Sequence, residues 1–76
     1  MWKVLTRLPE DRTIAVYIAG LALNGRVADT LPHVERMRVF AVTPERYRAA
    51  EEIVLKAIAN EGDAAEPLRS ELARWR

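Results

Sequence analysis

Apolar residues are concentrated near the N-terminus in two stretches that predict strands. Residues 2–8, WKVLTRL, predict a first strand, and residues 9–12, PEDR, predict the turn that follows it. Residues 13–20, TIAVYIAG, are rich in β-branched and aromatic side chains and predict a second strand. Because apolar residues occupy both faces of that strand, we place it at the centre of a sheet, with Gly20 at a bulge or at the strand end.

The segment after Gly20 allows two interpretations. Asn24-Gly25 lies between apolar flanks, and both residues tolerate the positive φ angles that a type I′ hairpin turn requires. Residues 21–31 are alternatively a short helix that crosses the sheet, although a glycine costs a helix about 1 kcal/mol relative to alanine. We favour the hairpin, and Leu31-Pro32-His33 ends either element.

Residues 36–42 alternate in the way typical of a further strand. Successive side chains of a strand point to opposite faces of the sheet. One face of this segment carries Arg36, Arg38, Phe40 and Val42, and the other carries Met37, Val39 and Ala41. The sequence thus predicts three to four antiparallel strands before residue 43.

A well-marked helix follows this strand. Thr43 is suited to the N-cap and Pro44 to the first helical position. An apolar stripe with helical spacing then runs along one face: Tyr47, Ala50, Val54 and Ile58. Gly62 is suited to a left-handed conformation after the C-terminal end of this helix.

A second helix is predicted to follow Gly62. Asp63 and Glu66 have the spacing of a capping box, and Pro67 lies in the first turn, where proline costs little. Its apolar stripe consists of Ala65, Leu68, Leu72 and Trp75. We therefore predict one α+β domain over residues 1–76, in which a small N-terminal antiparallel sheet is covered by two C-terminal helices. The large side chains expected in its core are Trp2, Tyr47 and Trp75.

The composition fits a folded domain inside the cell. Half of the residues are apolar and 30% are charged, which is the balance of a globular protein. The chain has no cysteine, which excludes a disulfide framework and a catalytic thiol. The longest apolar run, residues 14–23, is too short to span a bilayer, and residues 1–12 lack the apolar core of a signal peptide. We expect a cytoplasmic protein without a membrane segment.

Residues suited to catalysis are scarce. His33 is the only histidine, and it lies in a predicted turn with the carboxylates of Asp29 and Glu35 nearby. Three such residues in one loop are a weak signal for a metal site, and the glycines match no phosphate-binding loop. We expect no catalytic residue, no metal and no cofactor, and therefore no enzyme activity.

The best candidate for a binding surface is basic. On the predicted strand and the first turns of the next helix, four arginines and one aromatic residue form a candidate patch: Arg36, Arg38, Arg46, Arg48 and Phe40. Such a patch meets acidic protein surface or phosphate groups, although a solvated outer face explains the same charges. Leu55 lies about 100° around the helix from Val54, outside the apolar stripe, and is a candidate interface residue.

The order strand, helix, glycine turn, helix over residues 36–75 resembles the ribbon-helix-helix family of DNA-binding dimers. The resemblance implies that Arg36, Arg38 and Phe40 read the major groove from the strand. It also implies that the helices form a homodimer and that Thr43-Pro44 is the junction between strand and helix.

The function that we expect is binding without catalysis. We expect the chain to occlude or cap a partner macromolecule, and we favour a protein as that partner. Small bacterial or phage inhibitors, antitoxins and anti-CRISPR proteins act in this way. The alternative is a dimeric DNA-binding regulator of the ribbon-helix-helix type.

Overall fold

The computed structural model describes residues 10–75, and this part of the chain is helical. It contains four α-helices and a short 3₁₀-helix: α1 Glu10–Leu23, α2 Val27–Ala41, α3 Pro44–Ala57, the 3₁₀-helix Gly62–Ala65 and α4 Glu66–Arg74. No strand occurs between residues 10 and 75, so the predicted α+β fold with an N-terminal sheet is wrong. The predicted strand 2–8, with Trp2, lies outside the described residues.

Helix α1 replaces the strand predicted for residues 13–20. Its buried residues recur with helical spacing: Ile14, Ala15, Ile18, Ala19 and Ala22. Glu10 and Asp11 lie in the first turn, where negative charge is favourable to the helix dipole. The β-branched residues that suggested a strand are tolerated because packing outweighs their modest helix propensity.

The Asn24-Gly25 turn joins two helices rather than two strands. Gly25 has a φ of 77°. Its amide donates to the carbonyl of Ala22, and the amide of Arg26 donates to the carbonyl of Leu21. These two bonds form a Schellman motif at the end of α1. The predicted hairpin is therefore wrong, because the positive φ that glycine allows serves a helix C-terminus as well as a hairpin turn.

Helix α2 runs through both the predicted break at Pro32 and the predicted strand 36–42. Pro32 cannot donate a hydrogen bond to the carbonyl one turn earlier, and it lies on the exposed side of the helix. The opposite side buries a helical stripe of four residues: Thr30, Val34, Met37 and Ala41. Burial of that stripe offsets the lost bond, and the alternation within residues 36–42 is not a strand signal here.

The two C-terminal helices are confirmed. Thr43 is the N-cap of α3, with an extended backbone, and its hydroxyl accepts a hydrogen bond from the amide of Arg46. All four residues of the first predicted stripe are buried, as are the first three of the second, and Gly62 has a φ of 60°. The predicted capping box at Asp63 is wrong, because α4 begins after Ala65 without a side-chain cap.

The core lies where the helices meet. Helix α1 packs against α2 and α3, and α4 packs against α2. The Tyr47 hydroxyl links α3 to α4 by donating to the carbonyl of Leu72 at 2.7 Å. This packing leaves one edge of the molecule, where α2 ends and α3 begins, open to solvent.

Candidate groove between helices α2 and α3

The turn between α2 and α3 has an unusual backbone. Val42 has a φ of 53° and a ψ of −30°, and the amide of Thr43 donates to the carbonyl of Ala41 at 2.6 Å. This bond across one residue defines a γ-turn of the rare form with positive φ. Between residues 10 and 75, Val42 is the only residue other than glycine with a positive φ, and a β-branched side chain is strained there.

The same turn opens a groove of about 370 Å³. One wall comes from the last turn of α2 and the turn that follows it, the other comes from the first two turns of α3, and Trp75 completes the lining. The lining residues are Arg38, Val39, Val42, Thr43, Pro44, Tyr47, Arg48, Glu51 and Trp75. We call this set the α2–α3 groove.

The wall from α2 is apolar and open to water. Val39 lies in the last turn of α2 and Val42 directly follows the helix, and the two residues are 56% and 75% exposed. Together with Pro44 and the rings of Tyr47 and Trp75 they bring five apolar or aromatic side chains into one depression. Contiguous apolar surface of this kind marks binding sites more often than isolated exposed residues do.

Trp75 is fixed in place by its neighbours. The guanidinium of Arg38 lies 4.5 Å from the centre of the indole ring, and that of Arg74 lies 4.9 Å from it. The indole Nε1–H donates to the carboxylate of Glu71 at 3.4 Å. Arg38 therefore joins α2 to the C-terminal end of α4 and also forms part of the groove wall.

The groove carries two cations without counter-ions in the described part of the chain. Other basic side chains form ion pairs there, such as Arg26 with Asp29 and Lys56 with Glu52. Between residues 10 and 75, no carboxylate lies within ion-pair distance of Arg38 or Arg48. The groove therefore presents positive charge beside its apolar wall.

The structure divides the four predicted arginines among different sites. Two residues of a helix that are two positions apart point about 200° away from each other, whereas in a strand they share a face. Arg38 and Arg48 line the α2–α3 groove. Arg36 lies elsewhere on α2, where its Nη1 donates to Nδ1 of His33 at 2.9 Å. Phe40, which is 44% exposed, does not line the groove either.

Arg46 belongs to a structural ion pair between α3 and α1. Its Nε and Nη2 donate to the two carboxylate oxygens of Asp11, at 3.0 and 2.8 Å. The Asp11 side chain is 2% exposed, and that of Arg46 is 46% exposed. Burial raises the pKa of Asp11, but the hydrogen bonds from Arg46 and from the Arg12 amide, together with the charge of Arg46, lower the pKa below its ordinary value of 3.8.

Leu55 is half-buried and packs against the core. It also lines a second, shallower depression on α3, together with Arg48, Glu51 and Glu52. Arg48 thus lies between the α2–α3 groove and the surface around Leu55.

The candidate metal residues near His33 are engaged with other side chains. Asp29 pairs with Arg26 at 2.8 Å, and the His33 ring contacts the ring of Tyr17 edge-on at 5.1 Å. Among residues 10–75, no cluster of three histidine or carboxylate side chains is arranged to hold a metal ion. No helix in the same part of the chain is long and apolar enough to cross a membrane.

Sequence analysis missed most of the apolar groove residues. It placed Val39 on the strand face opposite the arginines and gave no role to Val42, although Val42 shared the arginine face. The signal that identifies the groove is the position of Arg38, Val39 and Val42 at the C-terminal end of one helix, directly before Thr43-Pro44 at the start of the next. That position becomes visible only when residues 27–41 are recognised as a helix.

Comparison with known proteins adds no further constraint on this chain. No protein-family model, no curated protein and no solved structure matches it. The resemblance to ribbon-helix-helix proteins also fails on the structure, because residues 36–42, which would have to form the DNA-reading ribbon, are helical up to Ala41.

Proposed function

We propose that this chain is a non-enzymatic binding protein that attaches to another protein through the α2–α3 groove and thereby occludes part of its surface. The observation that carries the proposal is the exposure of Val39 and Val42 beside Tyr47 and Trp75. An exposed valine alone is ordinary. Two of them in a groove lined by aromatic rings and arginines match the composition of protein-binding surfaces.

A protein partner is favoured over a nucleic acid by the character of the groove. Aliphatic side chains form its α2 wall, and the ring of Trp75 is already covered by Arg38 and Arg74. Single-stranded nucleic acid is bound by open aromatic faces on which bases stack. The aliphatic wall and the two arginines of the groove together fit an apolar side chain that has polar residues beside it in a partner protein.

The class of protein that we propose is a small inhibitor or antitoxin, with anti-CRISPR proteins as one example. Its support is size and surface: a chain of 76 residues acts by covering a partner's site with one face. We propose the cytoplasm as its place of action, because the chain carries no cysteine for the disulfides that stabilise many small secreted domains.

The proposal is tested by site-specific photo-crosslinking followed by titration. A benzoylphenylalanine introduced at Val42 should crosslink a discrete partner in the cells that make this protein, and mass spectrometry identifies it. The same probe at Ala49, an exposed position of α3 outside the groove, is the matched control. The purified partner is then titrated against the wild-type chain and against variants.

The double variant Val39→Asp with Val42→Asp should weaken binding at least tenfold, because it puts two charges into the apolar wall. Val16→Asp, at an exposed valine of α1, should leave the affinity unchanged. Equal affinity of the wild-type and groove variants for the purified partner would contradict the proposal. Crosslinking at Val42 that does not exceed crosslinking at Ala49 would contradict it as well.

A further inference from the structure

The shape and charge of the α2–α3 groove narrow the chemistry of its partner. The Val39 and Val42 side chains form an apolar wall, while Arg38 comes from α2 and Arg48 from α3. A ligand that only filled the apolar part would leave both guanidinium groups without a counter-ion from residues 10–75. A ligand that brings carboxylates on either side of an apolar side chain satisfies both features.

The third charged residue of the groove, Glu51, is largely hidden from an incoming ligand. Glu51 is 3% exposed and already has interactions of its own. Because so little of it reaches the surface, an incoming ligand meets mainly the two arginines. Complementarity therefore requires negative charge on the partner.

A second copy of the chain is a poorer match. Among residues 10–75, the other element with several exposed large apolar side chains is α1, with Val16, Tyr17 and Leu23. They lie within residues 13–25, TIAVYIAGLALNG, which contain no carboxylate. That segment would fill the apolar part of the groove but would bring no carboxylate of its own to Arg38 and Arg48.

The backbone of Val42 supports its role as the contact residue. A strained positive φ persists only where the surrounding structure fixes it, and such strain is concentrated at binding sites and active sites. Here the strained residue is the most exposed of the large apolar residues between positions 10 and 75. Its side chain contributes little to the core, so the strain is held by the backbone of the turn between α2 and α3 rather than by burial of the valine.

We infer that the groove takes a partner segment in which an apolar side chain is flanked by aspartate or glutamate. The apolar side chain packs against Val39, Val42 and Pro44, and the carboxylates pair with Arg38 and Arg48. This inference rests on the proposed function, because it names the partner chemistry of the same groove.

The experiment is a selection from a phage-displayed library of random linear peptides on the folded wild-type chain. Selected peptides are synthesised with a fluorophore, and their dissociation constants are measured by fluorescence anisotropy at low and high salt. The variants are Arg48→Gln, Arg38→Gln and Val42→Asp. The matched control is Arg36→Gln, which removes an exposed arginine of α2 that does not line the groove, and circular dichroism checks that each variant is folded.

We expect the selected peptides to combine an apolar residue with neighbouring aspartate or glutamate. Each groove arginine variant should weaken binding about two- to fivefold at low salt, and less at high salt. Val42→Asp should abolish binding, and Arg36→Gln should change nothing. Arg48→Gln is the more direct of the two arginine tests, because Arg38 also contacts Trp75.

Three other outcomes overturn the inference and differ in what they mean for the proposed function. Peptides that lose binding in Val42→Asp but lack carboxylates and ignore Arg38 and Arg48 would contradict the acidic partner and keep the groove. Peptides that are all insensitive to Val42→Asp would contradict both. Displacement of groove peptides by a DNA duplex, with loss of duplex binding in Arg48→Gln, would replace a protein partner by a nucleic acid.

Discussion

At the scale of single residues, Val42 combines a strained backbone with an exposed apolar side chain. Its side chain is 75% exposed, and its φ of 53° is one that β-branched residues avoid. Valine at this position contributes little to packing and strains the backbone. This combination is one reason why we propose that Val42 contacts a partner.

Replacement of Val42 by glycine measures the backbone strain separately from the proposed binding role. We expect Val42→Gly to raise the free energy of unfolding by about 1 kcal/mol, because glycine adopts positive φ without strain. Val39→Gly, inside α2, should instead lower it by about 0.5–1 kcal/mol or more. Urea unfolding followed by circular dichroism measures both, and a Val42→Gly variant less stable than the wild type would refute the strain.

The ion pair of Asp11 with Arg46 gives the fold a pH dependence. Because the pKa of Asp11 is lowered in the folded state, its contribution to stability is fully present above the unfolded pKa of about 4. That contribution is lost as the pH falls through the folded value. Asp11→Asn should cost about 1–2 kcal/mol at pH 7, a moderate figure since Arg46 is half exposed.

The difference in unfolding free energy between wild type and Asp11→Asn should therefore shrink below pH 4. Denaturant unfolding at pH 7, 5, 4 and 3 measures it. Glu35→Gln, at an exposed carboxylate of α2, is the control and should show little effect at any of these pH values. A difference that stays constant from pH 7 to pH 3 would contradict the role assigned to the pair.

At the scale of elements, the chain divides into a half that its local sequence predicts and a half that it does not. Helix α3 is marked by Thr43-Pro44 and a clean apolar stripe, and these signals depend only on neighbouring residues. Helix α1 has apolar residues on all sides, so its period is hidden. In residues 36–42 the short alternation masks a longer helical stripe that begins at Thr30.

The groove could be predicted only in part for the same reason. Arg38 and Arg48 were identified from charge alone, and they do line one groove. Arg36 was grouped with Arg38 because a strand places alternate residues on one face, whereas a helix turns them away from each other. Arg46 was added as a residue of the first turns of the next helix, and the structure places it in the ion pair with Asp11 instead. When a helix is mistaken for a strand, its side chains are therefore assigned to the wrong faces.

Two glycines distinguish the helical fold from the predicted sheet. Gly20 lies on the exposed side of α1, and a β-carbon there would meet no atom within 4 Å. Gly20→Ala should therefore stabilise the chain by about 1 kcal/mol. Gly25→Ala should destabilise it by about 1–2 kcal/mol, because Gly25 has a φ of 77° in the Schellman motif. Thermal unfolding of both variants should show shifts of opposite sign, and a loss of stability in Gly20→Ala would contradict a helix at this position.

At the scale of the whole molecule, the surfaces that stabilise the fold differ from the groove for which we propose binding. The buried faces of the four described helices and the Asp11–Arg46 pair hold the fold together. The α2–α3 groove contributes exposed apolar side chains and cations that the described part of the chain does not neutralise. The net charge of +1 conceals this local concentration of positive charge, which only the fold brings together.

The most direct test of the binding role is a ¹⁵N–¹H correlation spectrum of the labelled chain, recorded while its crosslinked partner or a selected peptide is added. If the groove is the binding surface, the perturbed resonances will be the backbone N–H groups of residues 38–48 other than Pro44, which has none, and the indole N–H of Trp75. The amide resonances of residues around Val16 and Leu23 will not shift. Perturbations confined to α1, or to the surface around His33 and Arg36, would contradict the account.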